Sequence, residues 1–400
     1  MTELRRLKIK NFKSLKDVDI EFDHLNILIG MNGAGKSTVL QALDFVSQLM
    51  RGRIDVWLKD REWEAADLNS KFSPKNNIEI NVTVILDNGT DIMWEAHFNR
   101  SKLNCTFEQI EYSGQKLLTL RNNQIHVNPL FRQSSNSNHN NSRDEPLKIL
   151  TDYQGSIFSA FRFGGFSAEV DQIIEVRDFF RSIQSLELLS PNLMRKRART
   201  TEKDIGTGGE KLSAFLGSMN DQDHQKLLLV LQTFYPQAVD FEISNLKSGW
   251  KRLSIIEQFG DHKIKTEARH MNDGLLRILA ILAQTQTAPS MLLLDEIENG
   301  VNQELVEKLV KVLVEAKTQL VVTTHSPLIL NYLSDEIAKK SVQFIYKSPE
   351  GATQIRRFFD IPRIAIKLDL MGAGDAFIDT NLIELAQECH NLDALGNPAP

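Results

Sequence analysis

Gly30-Met31-Asn32-Gly33-Ala34-Gly35-Lys36-Ser37-Thr38 is the stretch from which the rest of the chain is read. Its spacing, G-x-x-x-x-G-K-[ST], is that of a loop that wraps phosphates. The flanks supply the context the motif needs. Leu25 to Ile29 (Leu-Asn-Ile-Leu-Ile) predicts a buried strand entering the loop, and Thr38 to Met50 predicts a helix leaving it, with Leu40, Leu43, Val46 and Leu49 on one face. Glycines let successive backbone N–H groups turn inward on phosphate oxygens. The helix N-terminus adds partial positive charge at the same point. The expected nucleotide contacts are therefore Gly30, Asn32, Gly33, Ala34, Gly35, Lys36, Ser37 and Thr38. In this arrangement Lys36 reaches the β- and γ-phosphates of ATP and Ser37 holds Mg²⁺.

The C-terminal half supplies carboxylates. Met291-Leu292-Leu293-Leu294-Asp295-Glu296 is an apolar run ending in two acids, which predicts a central parallel strand with its acids at the C-terminal end. Asp295 is the expected second metal ligand. Glu296 is expected to orient the attacking water, because phosphoryl transfer needs mainly positioning and charge compensation. Leu320 to Ser326 (Leu-Val-Val-Thr-Thr-His-Ser) is a second apolar strand ending at His325, which can sense the γ-phosphate if the two strands are neighbours. The helix expected between them, Glu304 to Ala316, allows a right-handed crossover. Met271-Asn272-Asp273-Gly274 is a polar turn opening an apolar helix; it is read either as a helix N-terminus aimed at phosphate or as an ordinary cap.

Bulk properties narrow the class. The 400 residues carry 42% hydrophobic and 25% charged residues and a formal net charge of −5, so a sizeable core forms and any DNA contact needs a local basic patch. Two distant cysteines and no secretory leader fit a reducing cytoplasm. Apolar segments are too short or too charged to span a bilayer, so no membrane partner is expected.

Residues 1–24 alternate as two strands with a turn near Ser14, and Asp87-Asn88-Gly89 marks a hairpin between Ile78 and Phe98. A further pair is expected around Cys105–Tyr112 and Lys116–Leu120. Residues 133–146, rich in Ser and Asn, read as a mobile loop. Residues 168–190 and 210–235 read as helices of a helical lobe spanning 168–235. Arg195, Lys196, Arg197 and Arg199 form the densest basic cluster, read either as a solvated face or as a DNA contact.

Together these residues resemble the ATP-binding-cassette superfamily, in its branch that includes RecF, the SMC heads and OLD-type ATPases. The resemblance rests on Leu7–Leu15 running into Gly30–Thr38, on Gly206–Leu216, on Asn272-Asp273-Gly274 in the place of a Ser-Gly-Gly-type signature, on Asp295–Gly300, and on Thr324-His325-Ser326-Pro327. It implies an α/β fold: a P-loop ABC-ATPase head with a mixed sheet core, an antiparallel β lobe and a helical lobe. The ATPase domain is expected over 1–346, with 347–400 as a C-terminal extension suited to partner binding. By resemblance, ATP is held between two copies, with Asn272, Asp273 and Gly274 of one facing Lys36 of the other, in a homodimer or higher oligomer. Glu296, His325 and Lys36 are then the catalytic set, and Ser37 and Asp295 the metal set. Gln154 is the candidate for the glutamine that links metal to the lower lobe. Gly372-Ala373-Gly374 reads as a turn.

OLD-type relatives often carry a Toprim nuclease; the 75 residues after His325 hold no Asp-x-Asp pair, so the expected nuclease is a separate effector protein. The resemblance extends to stand-alone ATPases of Septu-like and retron-associated anti-phage systems. A RecF-like DNA-repair or DNA-end-sensing ATPase, and an ATP-locked scaffold with little turnover, remain the alternatives.

Overall fold

The computed structural model describes residues 1–128, 147–148, 152–160, 169–187, 189–199, 204–287 and 289–394. The loop expected at 133–146 lies outside them. β1 (Glu3–Phe12), β2 (Leu15–Glu21) and β3 (Leu25–Ile29) lead into helix α1 (Lys36–Arg51). The antiparallel strands β4 (Asn77–Ile85), β5 (Asp91–Asn99), β6 (Asn104–Tyr112), β7 (Gln115–Arg121), β8 (Gln124–Val127) and β9 (Leu147–Lys148) follow. After helix Glu169–Arg181 come the short β10 (Gln184–Ser185), helices Leu212–Leu216 and Asp221–Phe234, and the meander β11 (Ala238–Asn245), β12 (Lys251–Phe259) and β13 (His262–Glu267). The C-terminal part alternates helix Asp273–Gln286, β14 (Met291–Leu294), helix Gln303–Glu315, β15 (Gln319–Thr323), β16 (Val342–Lys347) and β17 (Thr353–Arg357), then closes with short helices and Leu382–Ala394.

Three sheets result, in the orders β2-β1-β4-β5-β6-β7-β8-β9, β10-β14-β15-β3-β16-β17 and β11-β12-β13. The middle one carries the site. Its strands are parallel except β17, which pairs antiparallel with β16. Period-two alternation sends its side chains into two separate cores. Leu292, Leu294, Leu320 and Val322 pack with helix Asp273–Gln286 and the C-terminal helices. Met291, Leu293 and Val321 pack with α1 and the eight-stranded sheet. The expected apolar face of α1, Leu40, Leu43, Val46 and Leu49, is wholly buried there, worth about 2 kcal/mol per side chain. Gly52 ends α1 at φ 70°, returning its N–H to the Gln48 carbonyl. Gln319 stitches the two large sheets together: its Nε2 donates to the Leu4 carbonyl at 2.8 Å and its Oε1 accepts the Leu4 N–H at 2.9 Å.

Several expected elements differ. The helix foreseen over 168–190 stops at Arg181, because Gln184 and Ser185 pair with Leu292 and Leu293 as a sheet edge. The helix foreseen over 210–235 is two helices; Asn220 caps the second by accepting the Asp223 N–H at 2.9 Å. The lobe expected to be helical over 168–235 also contains the short strand β10, and the β11–β13 meander follows it. The boundary expected at 346/347 falls at the end of β16, inside the β16–β17 hairpin, so residues beyond it complete the central sheet. Phe358, Ile361, Ile364, Leu368, Leu385 and Cys389 share its core. Gly372-Ala373-Gly374 opens the helix Ala373–Ile378. Gln154 lies at the far end of α1, where its Oε1 accepts the Asp55 N–H, so it is not beside the expected metal site.

Glu108 anchors the antiparallel sheet to the 152–160 segment. It is fully buried and accepts from Trp94 Nε1 at 3.0 Å, Ser156 Oγ at 2.5 Å and the Ile157 N–H at 2.6 Å. Burial outweighs these donors and raises its pKa to about 7 from 4.5. Between those values the folded chain holds a proton that the unfolded chain has released. The stability this gives is full below pH 4.5 and falls as pH rises through 7. Melting temperatures at pH 5 and pH 8 test this: the wild type should lose more between them than Glu108→Gln, and an equal loss would refute the assignment. The variant should be less stable than the wild type by about 1–3 kcal/mol at pH 5, because its amide opposes a donor.

Candidate nucleotide-binding site

The phosphate loop is shaped from outside as much as from its own sequence. Gly30 and Gly35 have φ of 146° and 116°, a region that disfavours side chains. A Cβ on Gly30 would lie 2.2 Å from the Ile345 carbonyl oxygen on β16; one on Gly35 would lie 2.2 Å from Thr353 Oγ1 on β17. That hydroxyl donates to the Ala34 carbonyl at 2.8 Å, lies 2.8 Å from Ser14 Oγ and accepts Lys347 Nζ at 3.1 Å. The β16–β17 hairpin and the β1–β2 turn therefore fix the outer face of the loop.

Lys36 is buried at 7% exposure, and its Nζ donates to the Gly30 and Met31 carbonyls at 3.0 and 3.1 Å. Burial lowers its pKa, opposed by the charges of Asp295, Glu296 and Glu298. Parallel pairing of β14 with β15, and of β15 with β3, carries these acids and His325 to the same edge of the sheet as the loop. Ser37 Oγ donates to Asp295 Oδ2 at 3.0 Å, so the two expected metal ligands meet across 258 residues of sequence.

Thr323, fully buried at the end of β15, was not foreseen. Its hydroxyl donates to Asp295 Oδ1 and accepts the Glu296 N–H at 2.8 Å. Glu296 is exposed and sits at φ 46°, a conformation costing about 1–2 kcal/mol for a residue with a side chain. Thr323 thus orients one acid and pins the backbone of the next. The only sequence signal was a hydroxyl residue closing an apolar run, which is too common to read alone. His325 is exposed, and its backbone N–H donates to Glu298 Oε1 at 2.7 Å.

Asn272 caps helix Asp273–Gln286: its Oδ1 accepts the Leu275 N–H at 2.7 Å, which leaves the Nδ2 amide as the group able to donate. Asp273 is exposed and Gly274 buried; a Cβ on Gly274 would lie 2.4 Å from the Gly300 carbonyl oxygen, so this turn packs directly behind the Asp295–Gly300 segment. Arg195 does not stand free for DNA. Its guanidinium pairs with Asp273 at 2.5 Å and donates to the Met271 carbonyl at 2.8 Å. Lys196, Arg197 and Arg199 are exposed.

The residues fit ATP and Mg²⁺. Among the described residues the buried ammonium has only loop carbonyls for hydrogen-bond partners, and Ser37 and Asp295 already stand together. Glu298 Oε2 is buried beside them with no hydrogen-bond partner among the described residues. Ser37 and Asp295 would hold the metal, and Lys36 the phosphates.

Two family models match the chain. "AAA ATPase domain" covers residues 3–154, and "AAA domain, putative AbiEii toxin, Type IV TA system" covers 158–331. An OLD nuclease from Thermus scotoductus is 25% identical over 224 residues, 54% of this chain and 39% of that protein. The DNA replication and repair protein RecF from Pasteurella multocida is 48% identical over 44 residues, 11% of this chain and 12% of that protein. The chain thus spans well under half the length of both. An Smc head bound to the C-winged helix domain of ScpA superposes with TM-score 0.52 at 14% identity, over 88% of this chain and 96% of that one. The fold is accordingly that of an SMC-head-like P-loop ATPase, as the sequence predicted.

Thr323→Val keeps the shape but removes both hydrogen bonds, whereas Thr323→Ser keeps them. The valine variant should hold ATP within a few-fold of the wild type yet turn it over about tenfold or more slowly, with a raised Mg²⁺ requirement, and serine should restore both. Steady-state phosphate release against Mg²⁺ concentration checks this; equal rates for Val and Ser would refute the role.

Proposed function

We propose that the chain is a cytoplasmic ATPase that closes as a dimer or higher oligomer around ATP and Mg²⁺ and controls a separate effector, a nuclease, in bacterial defence against phage. The observation that carries the ATPase reading is the Ser37–Asp295–Thr323–Glu296 chain of contacts beside Lys36. On this reading Lys36 exchanges its two loop carbonyls for phosphate oxygens. Bound Mg²⁺ neutralises phosphate charge. Glu296, held at the rim by Thr323, orients water on the terminal phosphate, and His325 faces the same group from the next strand. Asn272, Asp273 and Gly274 of a second copy cover it, with the Asn272 amide donating where a signature serine would use a hydroxyl.

The defence setting is supported by the likeness to an OLD nuclease and by the toxin–antitoxin description of the second matching family. The RecF likeness supports a second reading to a comparable degree, a DNA-repair or DNA-end-sensing ATPase. There, DNA contact falls to Lys196, Arg197 and Arg199, since Arg195 is engaged by Asp273.

Glu296→Gln should bind ATP as tightly as the wild type, lose turnover by about 100-fold or more, and accumulate as the ATP-bound dimer in native mass spectrometry. Wild-type turnover in this variant would refute the catalytic role. Turnover stimulated by DNA, and no longer stimulated when Lys196, Arg197 and Arg199 become alanine, would favour the repair reading.

A further inference from the structure

The segment from Phe358 to Ala394 buries part of its apolar side chains in the central core and leaves four large ones in solvent. Ile366, Leu370, Ile378 and Ile383 are 64%, 78%, 64% and 58% exposed. Two ion pairs tie together the helices that carry them. Lys367 Nζ lies 3.0 Å from Asp379 Oδ2, which sets Ile366 and Leu370 alongside Ile378. Arg363 Nε lies 3.0 Å from Glu388 Oε2, which ties helix Leu382–Ala394 to the helix that carries Ile366, while Ile383 faces a groove on its other side. Single exposed apolar residues are ordinary, but Ile366, Leu370 and Ile378 on adjoining helices mark an interaction surface.

The charge around these residues selects the occupant. Between Phe358 and Ala394 there are seven acids and two bases, and Arg356 just before this segment pairs with Asp393 at 2.6 Å. Both bases are engaged in the two ion pairs above, while Asp369, Asp375 and Glu384 stand exposed at the rim. A second copy would set this acidic rim against itself, and DNA or an anionic membrane would be repelled.

We infer that this surface docks a basic amphipathic helix of a partner protein, its apolar face on Ile366, Leu370 and Ile378 and its lysines or arginines on the neighbouring carboxylates. This rests on the effector-controlling reading above and names the chemistry of the partner. Helix Leu382–Ala394, tied to this surface by the Arg363–Glu388 pair, carries Ile383 into a groove of about 820 Å³ whose opposite wall is Met31, Asn32, Gly33 and Ala34.

The test uses the full chain and two labelled synthetic helices of the same leucine pattern, one with lysine and one with glutamate on the polar face. Fluorescence anisotropy should show the lysine helix binding about tenfold or more tightly than the glutamate helix, with affinity falling as salt rises. Leu370→Asp combined with Ile378→Asp should abolish that preference while leaving the melting temperature and ATP turnover unchanged, because both side chains face solvent. Equal binding of the two helices, or undiminished binding by the double variant, overturns the proposal. Nucleotide-independent self-association in sedimentation, lost in the double variant, would overturn it in favour of a second copy. Absence of turnover in the wild type would instead count against the ATPase reading and leave the peptide result standing.

Discussion

The constraint on which the site depends is the absence of room for a Cβ on the outer face of the phosphate loop. Gly30 meets the Ile345 carbonyl and Gly35 meets the Thr353 hydroxyl, both from strands more than 300 residues later in the chain. The loop can cradle phosphate on its inner side only because its outer side is clamped. The same clamp sets β3 between β15 and β16, and so decides which strand ends share an edge with Lys36. Everything chemically active in the chain follows from that placement.

From the clamped loop the site extends through short polar contacts rather than through bulk. Ser37 reaches Asp295, Thr323 reaches both Asp295 and the Glu296 amide, and Glu298 reaches the amide of His325. Each contact joins two neighbouring strands or loops at the C-terminal edge of one sheet. At the buried Thr323, removing a partner leaves a polar group unpaired, which costs more than the bond itself contributes. The left-handed backbone at Glu296 is tolerated because its N–H has a fixed acceptor, so strain and preorganisation are two aspects of one arrangement.

The two faces of the central sheet are unequal. One buries α1 beneath the antiparallel sheet, a permanent core with Glu108 and Gln319 as its polar fastenings. The other carries helix Asp273–Gln286 and the C-terminal helices, which run on into exposed isoleucines and carboxylates. The phosphate loop, Asp295 and Glu296 lie at the edge where these two faces meet.

By itself the sequence determined the phosphate loop, its strand and helix, the acidic strand end, the histidine strand and the early hairpins. In each, the signal is local: a glycine spacing, an apolar run closed by acids, or a turn between alternating residues. Tertiary structure alone decided that β4 pairs with β1 and not β2, that Gln184 and Ser185 become a sheet edge instead of helix, and that β17 joins the sheet that holds the phosphate loop. It also decided the roles of Thr323 and Thr353. One hydroxyl is identical to another along the chain; what distinguishes these two is the carboxylate or loop carbonyl that distant strands bring within about 3 Å of each. Pairing of that kind is set by which faces must be buried together, and no window of neighbouring residues contains it.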